Sequence, residues 1–324
     1  ILARVVNKMY PYLKNKVIEK IDPETKNGIT KNVKAIILQN TGNFLVNGTD
    51  NIIISSFISV AAVGLYSNYH MLIEIFRNLL NQIFNNIYHS VGNLVAKEDS
   101  EKVYSIFKVY RFLNFWLYSF ISIFLLIILD SFITVWIGSE FLMAQNALII
   151  VMLIFFERGM RNAITTIKTT AGIFHEDRYI PLFQAAINLI LSIVLVQYMG
   201  IAGVFIGTLV STIVGPFWTT PYLVYKKVLN RSLYEYYLTY IFFVLIGVGA
   251  YFLTNYLCNF IEVEGFLGLL LIGMICFIVP NIIYLIIFYK TSEFKYLLSL
   301  IIGISGSLLQ KIKIKNSQYK MENH

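Results

Sequence analysis

A chain of 324 residues that is 57% hydrophobic and only 14% charged, with a mean hydropathy of +0.67, has too little polar surface to enclose itself in water. Soluble domains carry about 25% charged residues. The composition excludes a soluble globular domain and requires that a net charge of +8 be arranged around membrane spans.

In chain order, the opening "ILARVVNKMY" has no Met start and no basic stretch followed by an apolar core and cleavage site, so no secretory signal is read there. Residues 1–34 are rich in Lys and aqueous in character. A bilayer-spanning helix needs about 20 mostly apolar residues. With that window eight spans are predicted, at 35–59, 63–94, 107–129, 141–171, 179–199, 202–225, 237–258 and 266–289. Gly200, Gly203 and Gly207 form a small-residue series suited to close helix packing. Pro216, Pro221 and Pro280 are places where spans break or kink. Cys258 and Cys276 lie in apolar runs with no CxxC or His partner and read as small buried hydrophobes. After residue 290 the chain is again rich in Lys, and "SLIIGISGSLLQKIKIK" reads as an amphipathic surface helix or an ordinary tail.

Basic residues collect in cytoplasmic connections. The start, the tail and alternate connections hold 22 of the 26 Lys and Arg, among them Lys97, Lys102, Lys108, Arg111, Arg178, Lys226, Lys227 and Arg231. The opposite connections hold none and carry Asp130, Glu140, Glu262 and Glu264. A multi-pass protein of the cell membrane with both termini in the cytoplasm is predicted.

The remaining four cations, Arg77, Arg158, Arg161 and Lys168, fall inside spans. At about 100° per residue, Arg158, Arg161 and Lys168 share an arc of about 80°, with Thr165 and Thr169 beside them and Glu157 at its edge. His70, Glu74, Arg77, Asn81 and Asn85 recur at helical spacing, and Glu74 can pair with Arg77 across one turn. Gln39, Asn43, Asn47 and Asp50 form a third stripe. Charges at such depth cost about 2.5–3.5 kcal/mol each and face a bundle interior or a wet cavity. Counted within the spans, two Glu and one Asp oppose four cations. A closed ion-pair network would be near neutral, so a water-filled basic cavity that receives an anion is predicted. The alternative is a structural network in which Glu74 and Glu157 neutralise neighbouring arginines.

Other chemistry is poorly supported. No GxxxxGK[ST] loop is present, so no ATPase activity is expected. His70, His89, His175 and His324 lack HExxH or i,i+4 spacing, so no metal is expected, nor any cofactor. Asp130 with Glu140 could form an acid/base pair, and the plainer reading is two outer-loop acids placed by topology. The chain reads as a non-enzyme that does not bind nucleic acid.

The runs "DNIIISSFISVAAVGLYSNYHML" (50–72), "FITVWIGSEF" (132–141), "AGIFHEDRYIPLFQAAINLILSIVL" and "GIAGVFIGTLVS" resemble the Wzx-type oligosaccharide flippases, polysaccharide-synthesis transporters of the multidrug/oligosaccharidyl-lipid/polysaccharide exporter superfamily. The resemblance covers most of 30–290. It implies an all-α fold of about eight transmembrane helices: a cytoplasmic segment at 1–34 that follows a preceding lobe, a six-helix lobe at 35–225, a peripheral hairpin at 226–289 and a cytoplasmic tail at 290–324. It further implies that Arg158, Arg161, Lys168 and Arg77 hold the diphosphate of an undecaprenyl-diphosphate-linked oligosaccharide. Glu74, Glu157, His70, Asn81, Asn43 and Asn47 then line the cavity. Asp50 is the candidate carboxylate for coupling to H+ or Na+, or else an Asp hydrogen-bonded to Asn47 or Asn51. Implied partners are the lipid-linked oligosaccharide, membrane lipid and the polysaccharide polymerase machinery. An ion-coupled drug antiporter of the same fold calls for an acidic cavity. A lipid II flippase shares the fold, and a membrane-embedded glycosyltransferase or polymerase calls for a large outer loop that this chain lacks.

Overall fold

The computed structural model describes residues 2–11, 22–261 and 265–303. Glu262, Glu264 and the amphipathic stretch beyond residue 303 lie outside the described residues. Among the described residues there is no strand. The helices are α1 (Leu2–Met9), α2 (Pro23–Phe57), α3 (Val60–Lys97), α4 (Ser100–Trp136), α5 (Gln145–Thr170), α6 (Ile180–Met199), α7 (Ile201–Val214), α8 (Pro216–Val224), α9 (Leu233–Cys258) and α10 (Gly265–Phe288).

Local chemistry sets these boundaries. Asp22, Ser59 and Asp99 each place a side-chain oxygen on a backbone N–H of the following first turn, at 2.8, 3.0 and 2.9 Å, starting α2, α3 and α4. The Thr25 N–H holds the exposed Asp22 carboxyl below its ordinary range. Pro23, Pro181 and Pro216 stand in first turns, where no backbone donor is lost. Gly200, at φ +58°, is the whole connection between α6 and α7. The chain breaks again at Gly215, so α7 and α8 are two pieces, whereas Pro280 sits within an uninterrupted α10.

Among the described residues, five segments are long and apolar enough to cross a membrane: α4, α6, Ile201–Leu229 through α7 and α8, α9 and α10. The helices α2, α3 and α5 are as long but less apolar. They are the three that carry the polar stripes. The fold is that of an all-α, polytopic membrane protein.

Small residues bring the helices close. Gly42 of α2 lies against Pro181 of α6, and Gly159 of α5 faces the Tyr118 ring of α4. Gly203 and Gly207 of α7 meet Leu195 and Ser192 of α6. A Cβ on Gly203 would stand 2.3 Å from the Leu195 carbonyl oxygen, so backbone would have to move. Gly203→Ala is expected to cost about 1–3 kcal/mol of stability, read as a lower thermal midpoint of the purified protein; an unchanged midpoint would show that α6 and α7 separate freely.

The helices α9 and α10 pack on each other and on α4. Their seam is aromatic: Phe115 stacks on Phe243 at 4.4 Å, with Tyr284 and Phe288 at 5.2 and 5.8 Å from Phe115. Cys258 and Cys276 are buried in this region with their sulfurs 3.8 Å apart, so the two apolar-run cysteines are neighbours.

Candidate functional site

The central position of α5, which packs against α3, α4, α7 and α8, determines what its four charges meet. Gly159, Met160, Ala163, Ile164 and Ile167 fill the packed faces, and the charged residues leave the helix in different directions.

Glu157 is 5% exposed and accepts two bonds from Arg161, from Nε at 2.7 Å and Nη2 at 3.2 Å. Arg161 stands in the electrostatic reach of Tyr236 and Tyr240 of α9. Glu157 therefore engages Arg161, four residues on. Lys168 is buried and donates to Asp177 in the connection between α5 and α6. The other Asp177 oxygen accepts from Gln39 of α2 at 2.8 Å, and Gln39 also donates to the Phe174 carbonyl at 2.9 Å. This knot ties the end of α5 to α2. Asp177 stands outside the spans, and so outside the count of charges within them, yet it neutralises Lys168.

Arg158 differs from the others. Among the described residues its guanidinium makes no hydrogen bond and no ion pair, and it is incompletely buried. Arg77, Arg161, Glu157 and Asp50 all act on it through space. Arg77 comes from α3, where it donates to Glu74, and Glu74 stands 3.3 Å from His70 Nε2. Tyr66 lies within the fields of Asp50, Arg77, Arg158 and Glu74, and its ring packs on Phe205 at 4.8 Å and His70 at 5.4 Å. Asp50, Tyr66, His70, Glu74, Arg77 and Arg158 are thus brought to one place by α2, α3 and α5. The structure keeps the pairs Glu157–Arg161 and Lys168–Asp177 in their own contacts.

Asp50 is 9% exposed, and its carboxylate oxygens accept from Thr208 of α7 at 3.3 and 3.4 Å. Asn188 of α6 donates to Thr208 at 2.8 Å, and Thr49 donates to Asn188 at 3.3 Å. Among the described residues Asp50 thus has a partner from another helix, where the sequence offered Asn47 or Asn51. From α3, Asn81 and Asn85 are exposed, and Asn43 of α2 is exposed as well. The side chain of Asn47 lies outside the described residues. Polar side chains exposed on long helices of a membrane protein have to face water or protein, because hydrocarbon leaves their groups unsatisfied.

Two positions expected near the aqueous faces lie inside helices. Asp130 belongs to α4 and accepts from the Tyr69 hydroxyl at 2.5 Å, so it is a bonded helix residue, while Glu140 is exposed in the turn that follows α4. Arg111, expected in a connection, lies on α4 at 5% exposure. The run Phe107, Tyr110, Arg111, Asn114, Phe115, Tyr118, at helical spacing, is the signal that places it on the packed face.

A polar, charge-bearing cluster on the helices of a polytopic membrane bundle marks a candidate functional site. Residues 9–146 match the family described as "Polysaccharide biosynthesis protein". That match takes in α2, α3 and α4, and with them Asp50, Glu74 and Arg77. No curated protein and no solved structure matches the chain.

Proposed function

We propose that this chain is a flippase, or the larger part of one, that carries undecaprenyl-diphosphate-linked oligosaccharide repeat units across the cell membrane for surface polysaccharide assembly. The observation that carries the proposal is Arg158. Its donors bond to no acceptor among the described residues, and it lies within the electrostatic reach of Arg77 and Asp50, on the polar faces of α3 and α2. A guanidinium presents a planar fork of donors that matches a phosphate bidentately. The family match over residues 9–146 supports polysaccharide synthesis as the setting.

In this mechanism the exposed Asn43, His70, Asn81 and Asn85 form one wall of a wet cavity that takes the sugar, while the prenyl chain stays in lipid. Arg158 and Arg77 hold the diphosphate. Arg161 and Lys168 keep α5 in place through Glu157 and Asp177. Asp50, with Thr208 and Asn188 beside it, is the carboxylate that couples movement to H+ or Na+. The chain itself performs no covalent chemistry. Cells lacking it should lose surface polysaccharide and regain it on re-expression; unchanged polysaccharide in its absence would refute the proposal.

The distribution of basic residues puts both termini in the cytoplasm. In a background free of the two natural cysteines, Ser139→Cys should react with an impermeant maleimide on intact cells, and Ser100→Cys and Asn230→Cys only after permeabilisation. The reverse pattern would invert the topology.

A further inference from the structure

Among the described residues, seven buried side-chain nitrogen or oxygen atoms have no hydrogen-bond partner, among them Arg111 Nε and Nη1, the Tyr225 hydroxyl and Arg231 Nε. Each can donate. The Arg111 guanidinium lies over the Phe107 ring at 5.2 Å and over Tyr236 and Phe243 at 6.0 Å each. Aromatic faces stabilise a cation but accept none of its in-plane N–H bonds. The Tyr225 hydroxyl stands close to the guanidinium, near enough for its oxygen to face the Arg111 donors but not aligned for a full hydrogen bond.

The acids nearby are occupied. Glu235 accepts from the Tyr104 hydroxyl, Glu101 accepts from Arg231 at 2.6 Å, and Glu157 is held by Arg161. The fold thus encloses a guanidinium whose Nε and Nη1 have no aligned acceptor, with the Tyr225 hydroxyl beside it, and buried donors of this kind are rarely left unmet. What completes such a set is an anion. One guanidinium walled by rings balances a single charge and leaves a second one uncompensated, which favours a halide over a phosphate.

We infer that Arg111 and Tyr225 form an internal monovalent-anion site, of chloride type, between α4, the turn after α8 and α9. It involves none of Asp50, Arg77 and Arg158 and does not depend on the transport proposal.

The test uses the full chain in detergent, unfolded by heat in sodium chloride, sodium bromide or sodium gluconate at equal ionic strength. A ligand that binds the folded state raises the midpoint with the logarithm of one plus its concentration over Kd. The midpoint should be several degrees higher in either halide than in gluconate. Arg111→Gln should abolish the difference, and Lys226→Gln, at an exposed neighbouring position, should preserve it. Should Arg111→Gln fail to fold, Tyr225→Phe should raise the half-saturating halide concentration severalfold. Equal midpoints of the wild type in all three salts, as a bound water would give, overturn the inference. A halide effect undiminished in Tyr225→Phe and in any folded Arg111→Gln overturns it as well.

Discussion

Arg158→Ala should abolish export of surface polysaccharide while leaving the protein at its normal level in the membrane. The side chain bonds to no described residue, so its removal orphans no buried partner and costs the fold little. What it removes is the free fork of donors beside Arg77. Loss of a charge-assisted bidentate contact should lower export at least about tenfold, the equivalent of about 1.4 kcal/mol. Arg158→Lys should recover only part of it, because an ammonium keeps the charge without the planar fork. Arg161→Ala should behave in the opposite way, since it leaves Glu157 buried with no partner. The protein should then be lost from the membrane. The assay is surface polysaccharide normalised to transporter by immunoblot; Arg158→Ala at normal level with normal export would remove Arg158 from the site.

Lys168→Ala should have the largest effect on folding. Asp177 would remain buried at 5% exposure, with Gln39 as its only described side-chain partner. Breaking one side of a buried pair costs about 3–5 kcal/mol, a large part of a total stability of about 5–15 kcal/mol. Membrane abundance should therefore collapse. The double variant Lys168→Met with Asp177→Leu should restore much of it, because an apolar pair of similar volume avoids the desolvation of two charges, and Gln39 keeps the Phe174 carbonyl. If Lys168→Ala accumulates normally and only export fails, Lys168 is a substrate contact and not a structural tie.

Most of the helical frame was legible because it is written in short-range chemistry. Asp22, Ser59 and Asp99 cap the helices they precede, Gly200 supplies a positive φ that other residues rarely adopt, and the apolar runs have the length of a bilayer. The polar stripes on α2, α3 and α5 followed from helical spacing alone. Which charge meets which did not. Arg158, Arg161 and Lys168 share an arc on a helical wheel, but Arg161 and Lys168 each go to a nearby acid and Arg158 pairs with none among the described residues. Glu157 captures Arg161 one turn away, and Asp177 reaches Lys168 through the path of a connection that no period describes. Arg111 was hidden for a related reason, since a span drawn from residue 107 treats its first turn as interface although α4 begins at Ser100. Thr208 reaches Asp50, and Asn188 reaches Thr208, because the one-residue turn sets α6 against α7, a tertiary arrangement that local pattern does not encode.

The most direct measurement of the central claim is the leaflet in which the lipid-linked oligosaccharide resides. Cells depleted of this chain are converted to spheroplasts and treated with an impermeant reagent that oxidises or cleaves the sugar. With the chain absent, or present as Arg158→Ala, the undecaprenyl-diphosphate-linked repeat unit should accumulate and stay protected inside, becoming reactive once the wild-type chain is restored. Repeat units that reach the outer leaflet at an undiminished rate without the chain would contradict the account.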